Sequence, residues 1–282
     1  MTTVLVLAFV VAVVAAVRGA WSPCGLSVLS SLNPVAERAR GHRFWGTACW
    51  YVGGAAAGGA GLGLACAVPA ALLGRTGLSE SATWWVVLAG SAVAVVSDAR
   101  LVAWSLPDHP RQLDERWLTA YRRWIYAGGF GVQVGSGFAT YVMTAATYLA
   151  ALLAVLTGSA VDAVVVGMSF GTVRGLTILL VARATTPERL RAMLARVDGL
   201  SALSLLVAAA TSLAVGVVAA GALGGLVAAA TTAAGGSLLV AGRRPRHREA
   251  DQPRDHQRDV ENPGELLHHH QRSRVLVDRN DV

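Results

Sequence analysis

The chain has 282 residues, is 54% hydrophobic and only 15% charged, and carries a formal charge of +7 with arginine as its sole long cation. Soluble domains of this length carry more charge and cannot hide so much apolar surface in one core, which argues against a soluble enzyme. The arginines cluster between apolar runs and in the C-terminal tail, a pattern that fits the positive-inside bias of membrane proteins and not nucleic-acid binding.

A bilayer span needs about 20 apolar residues, and on that criterion the chain divides into about seven spans. The first covers residues 3–32. Its start, Met1-Thr2-Thr3-Val4, lacks the basic region of a signal peptide, so a retained first helix is expected. Within it lies Arg18-Gly-Ala-Trp-Ser-Pro-Cys24-Gly25, where Gly19, Pro23 and Gly25 predict a bend or break. The second span covers 44–73, with Gly54, Gly58, Gly59 and Gly63 at close-packing spacing; without a strand or lysine these are not a phosphate loop. The third covers 84–97, with Asp98 at its edge. The fourth covers 124–156 and contains Gly129-Phe-Gly-Val-Gln-Val-Gly-Ser-Gly137, where Gly135 and Gly137 predict a second break over 129–137. The fifth covers 164–182. An amphipathic surface helix follows, with Thr185 and Glu188 at capping-box spacing. Residues 200–241 are long enough for two spans, with a turn at 221–225.

Basic loops follow the first, third, fifth and seventh spans, which predicts an extracytoplasmic N-terminus and a cytoplasmic C-terminus in a bacterial-type inner membrane. Tryptophans at the predicted boundaries agree with an aromatic belt. The transmembrane domain is expected over 1–242, with repeat one at 3–103, repeat two at 117–219 and an extra helix at 221–241. The polar remainder, 243–282, reads as a disordered cytoplasmic tail. His268, His269 and His270 in that tail could hold a metal, an incidental run in a solvated tail being the plainer reading, and Cys24, Cys49 and Cys66 form no zinc pattern. No metal and no cofactor is expected.

Arg18 and Arg174 fall near the middle of the first and fifth spans, where an arginine costs about 3 kcal/mol even on the lenient insertion scale. Two such guanidiniums could hold a small anion; equally, each could bond backbone carbonyls freed by a break, or one could reach Asp98. Gln133, Thr140 and Thr144 share a face of the fourth span, suited either to a solute path or to inter-helix hydrogen bonds. Cys24 and Cys49 fall at similar depth on neighbouring spans, which allows a redox pair, whereas unpaired thiols are the plainer alternative.

Ser22-Pro23-Cys24-Gly25, followed by leucine-rich residues and a basic turn, resembles the CcdA/DsbD-type membrane domain. The resemblance extends over residues 4–206. It implies an all-α bundle of two inverted three-helix repeats, each beginning with a proline-cysteine break, and passage of reducing equivalents from cytoplasmic thioredoxin to extracytoplasmic thiols. It also places the chain in a wider superfamily similar to the lysine exporters, whose members move small solutes. Where the family carries its second proline-cysteine, this chain has Phe138 and Ala139, so a dithiol relay would need Cys49 as the partner of Cys24. The leading expectation is a secondary transporter of a small, anionic solute through a midplane site, with Arg18, Arg174, Gln133, Thr140 and Thr144 binding it. The alternatives are the thiol-disulfide carrier and a non-catalytic membrane subunit of a larger complex. The expected partners are the lipid bilayer, the solute and, in the redox case, thioredoxin; the oligomeric state is left open.

Overall fold

The structure is a computed structural model that describes residues 2–99, 116–137 and 144–224. Every regular element among them is helical. In chain order these are α1 (Thr2–Arg18), a 3-10 turn (Gly19–Trp21), α2 (Pro23–Ser31), α3 (Pro34–Ala39), α4 (Phe44–Thr76), α5 (Glu80–Asp98), α6 (Trp117–Ala120), α7 (Arg123–Gly135), α8 (Ala146–Leu156), α9 (Ala160–Leu176), a second 3-10 turn (Thr177–Val181), α10 (Pro187–Gly199) and α11 (Ser201–Ala222). Five helices among the described residues are long and apolar enough to cross a membrane, and α8 is a shorter apolar one. The chain is an all-α integral membrane protein. The extra helix expected over 221–241, the tail over 243–282, and Phe138, Ala139 and Thr140 lie wholly or largely outside the described residues.

The surface shows why a bilayer is required. On α1, Val4, Ala8, Val11, Ala12 and Ala15 are buried, whereas Val6, Val10, Val13 and Val17 form an exposed stripe at helical spacing. Leu64, Val68 and Leu72 make a similar stripe on α4. Such apolar faces are stable against acyl chains, and the helices satisfy their own backbone groups there. Exposed Trp45, Trp50 and Trp124 gather at one end, with Trp50 and Trp124 6.2 Å apart, and exposed Trp85 lies near the start of α5 at the other. Tryptophan sits where one side of its ring is apolar and the other wet.

Small residues bring the central helices into backbone contact. α4 packs against α7 along one line and α9 along another. A methyl group at Gly54 would strike the backbone of Gly128, one at Gly58 that of Val132 and Ser136, and one at Gly59 that of Gly167 and Gly171. From the other side, methyl groups at Gly131 and Gly135 would strike Tyr51 and Ala55. Helices without a hydrophobic drive toward each other gain association energy from this close approach.

Two expected features are corrected here. The fourth span is interrupted at the end of 129–137 and not throughout it: Gly129 to Gly135 lie inside α7, and the chain leaves helical geometry only after Ser136, with Gly137 at φ 74°. The glycines of α7 that meet α4 serve packing, which leaves them helical. The cap of α10 is Thr186, not Thr185: its side chain accepts from the Arg189 N–H at 3.3 Å, and Pro187 takes the first helical position, where no N–H is needed. Thr185 instead accepts a hydrogen bond from the Arg189 guanidinium at 3.3 Å.

Candidate functional site

The first break is built from local chemistry. The Ser22 hydroxyl donates to the Gly19 carbonyl at 2.7 Å and accepts from the Gly25 N–H at 3.0 Å, so one side chain closes the 3-10 turn and caps α2. Pro23 occupies the first position of α2. Gly25 has no alternative, because a Cβ there would lie 2.6 Å from the carbonyl oxygens of Gly19 and Ala20. Trp21 donates its indole N–H to the Val197 carbonyl at 2.6 Å, tying the break to α10.

Arg174 lies against that break. It is 2% exposed, and a methyl at Gly19 would sit 2.7 Å from its Cζ. The guanidinium also lies over the Phe170 ring, 5.8 Å from its centroid, a cation–π arrangement. Tyr51 and Cys24 are close enough to interact with it electrostatically. Phe170 in turn packs on the second break: a Cβ at Gly137 would lie 2.9 Å from its Cε1. One arginine-phenylalanine column therefore touches both helix breaks, Gly19 at one end and Gly137 at the other.

Arg18 turns to a different neighbour. Its Nη1 donates to the Ser204 hydroxyl at 2.8 Å and to the Ser201 carbonyl at 3.3 Å, both on α11, and Asp98 acts on it electrostatically. Asp98, the last residue of α5, accepts from the Thr144 hydroxyl at 2.5 Å and the Ala145 N–H at 2.7 Å. Those are the groups from which α8 starts, so Asp98 caps a helix supplied by another part of the chain. Arg18 thus engages α11, whereas Arg174 lies against the first break.

The level of the cluster can be read along α4. A Cβ at Gly175 would lie 2.7 Å from the Ala55 Cβ and 3.2 Å from the Val52 Cα, levels only about 3–8 Å along α4 from exposed Trp50. Residues 3–32 are not one helix, so Arg18, central in the sequence run, is the last residue of a 17-residue helix. The site lies toward the end that carries Trp45, Trp50 and Trp124.

No disulfide joins the three cysteines; Cys24 and Cys66 are buried, and Cys49 is exposed. Cys24 packs with Val28, Tyr51 and Tyr126, and Cys66 with the cluster around Ala12, Ala163 and Val166. Burial separates Cys24 and Cys49: α4 turns Tyr51 inward and Cys49 outward. Gln133 is half-buried on α7, with its carbonyl accepting from the Ser136 hydroxyl at 2.8 Å. Thr144 is buried and engaged by Asp98, as the inter-helix alternative expected.

Sequence reasoning missed Glu37, in a loop that reads as basic. It is fully buried, pairs with Arg40 at 2.8 Å, and accepts from the Tyr126 hydroxyl at 3.2 Å and from the Thr47 hydroxyl. It joins α3, α4 and α7. The available signal was Asn33-Pro34, an N-cap followed by a first-position proline, which predicts a helix with Glu37 and Arg40 on one face.

With this geometry in place, two known proteins are similar in sequence. One is the methylamine utilization protein MauF of Paracoccus denitrificans, 28% identical over 191 residues, which cover 66% of this chain and 67% of the relative. The other is the methylamine utilization protein MauF of Paracoccus versutus, 27% identical over 183 residues, covering 62% and 65%. The matches span about two thirds of the length of these relatives. No family model matches the chain, and no solved structure does.

Proposed function

We propose that this chain is a membrane accessory protein that serves the utilization of a small amine, in the manner the names of its relatives indicate. The observation that carries the reading is the similarity to two MauF proteins over 191 and 183 residues. The geometry supports it: Arg18, Glu37 and Asp98 each tie one helix to another, which suits a rigid membrane platform. In the bilayer, the arginine-rich end faces the cytoplasm. The decisive experiment expresses the chain in a Paracoccus denitrificans strain lacking MauF. Restored growth on methylamine is expected; protein present in the membrane without restored growth overturns the reading.

A second reading is the thiol-disulfide carrier of the CcdA/DsbD type, favoured by the position of Cys24 in the first turn of α2, beside Arg174 and Tyr51. The exposed position of Cys49 weighs against it as the second thiol. A Cys24→Ser variant that restores growth as well as the parent chain removes this reading and leaves the accessory role. Transport of a small anion ranks third, because it needs Arg18 to leave Ser201 and Ser204 and turn toward Arg174. In proteoliposomes, anion flux lost in Arg174→Leu would raise it to first place; absent flux in the parent chain removes it.

A further inference from the structure

At the end of the molecule opposite Trp45, Trp50 and Trp124, the ends of α1, α4, α5 and α8 surround a depression of about 390 Å³. Glu80, Thr83 and Trp84 line it from α5. Residues three and four apart on a helix are neighbours, so one face presents a carboxylate, a hydroxyl and an indole side by side.

The rest of the lining is backbone-rich. Gly74 and Gly77 come from the end of α4 and Gly158 from just beyond α8. A Cβ at Gly74 would strike the Gly158 carbonyl, so the two helix ends meet at backbone contact. Gly77 and Gly158 both take φ 66°, the left-handed conformation that ends a helix. Helix C-termini present carbonyl oxygens and partial negative charge, and two of them converge here beside Glu80, whose own carboxylate lies at the positive start of α5. No ion pair engages Glu80 among the described residues, and Arg75, in the last turn of α4, does not line the depression.

A carboxylate, two carbonyl-bearing helix ends and an indole face form a set for one ligand class. An organic ammonium ion donates N–H bonds to the oxygens and lays its alkyl groups on the indole, where the ring quadrupole attracts its charge. A neutral alcohol of equal size gains neither charge term. We propose that this depression binds a small organic ammonium ion, with Glu80 pairing its charge and Trp84 covering its alkyl groups. The ammonium class follows from the lining; that the ion is a small alkylamine rests on the amine-utilization reading.

The test titrates methylammonium into the full-length protein in nanodiscs and follows heat, with methanol as the neutral control. Saturable methylammonium binding without methanol binding is expected. Glu80→Gln should weaken it by about tenfold, and Trp84→Leu by a similar factor. Glu188→Gln, at the opposite end, should leave it unchanged. Because Glu80 is exposed and not part of the core, its variant should keep the parent melting temperature. No saturable binding, or equal binding by Glu80→Gln, overturns the proposal. Its fate is separable from that of the accessory role: a chain that restores growth on methylamine but binds no methylammonium loses this site alone. A chain that binds methylammonium but does not restore growth loses the accessory role and keeps the site.

Discussion

The two helix breaks solve one problem in opposite ways. At the first, Ser22 closes the turn on Gly19 and caps Gly25, all within seven residues of sequence. At the second, the N–H and hydroxyl exposed where α8 starts are taken by Asp98, 46 and 47 residues away in the chain. Backbone groups in an apolar medium must find partners, but the partner can be local or distant. A local cap belongs to its own segment and forms as that segment forms. The Thr144 hydroxyl also accepts locally from the Ala146 N–H at 3.2 Å, but the Asp98 contacts exist only after α5 and α8 have docked, so the start of α8 depends on the fold. Arg174 and Phe170 then join the two, touching Gly19 on one side and Gly137 on the other.

The largest expected effect removes the frame that both breaks share. Gly59→Leu drives a side chain into the backbone of Gly167 and Gly171 and should cost about 3 kcal/mol or more, seen as loss of folded protein from membranes. Normal accumulation with an unchanged melting temperature would mean that α4 and α9 do not need backbone contact. Next, Asp98→Ala should cost roughly 2 kcal/mol by leaving the Thr144 hydroxyl and Ala145 N–H without their acceptor. Hydrogen exchange should quicken at the start of α8 while the first break stays protected; quickening at both would make them one unit. Ser22→Ala should cost about 1 kcal/mol, with faster exchange confined to the first turn of α2. If the change spreads to α8, the first cap is not local. Thr144→Val is the smallest, about 0.5–1 kcal/mol, and only part of it should persist beside Asp98→Ala in a double-mutant cycle, because the Thr144 hydroxyl also accepts from the Ala146 N–H. Full additivity would show that the two residues act apart.

The legibility of each feature follows the range of the interaction behind it. Gly19, Pro23 and Gly25 announce a break because proline geometry and clustered glycine act within a few residues, and the Ser22 cap that completes it is equally local. The same reasoning draws the second break too wide: it includes Gly137, where helical geometry ends, but glycines in a helix and glycines at an interruption look alike until a neighbour is known, and Gly131 and Gly135 turn out to face α4. Arg18 and Arg174 stand out in sequence as costly cations. Their separate destinations, α11 for one and the Gly19 break for the other, are set by how α1 and α9 pack. Glu37 stays hidden because its burial comes from α4 and α7, and nothing near it in the chain records that.

What the sequence alone determined is the solvent and the class of the protein. Its apolar runs are longer than a soluble core needs, its arginines lie between them, and its first helix carries a locally encoded break; these are properties of composition and of neighbours in the chain. Only the tertiary structure decided which glycines pack, which carboxylates are buried, and which arginine meets which break. Those outcomes depend on contacts between segments far apart in the chain, because in a bilayer shape and hydrogen bonding, not burial of apolar surface from water, choose one helix's neighbour over another.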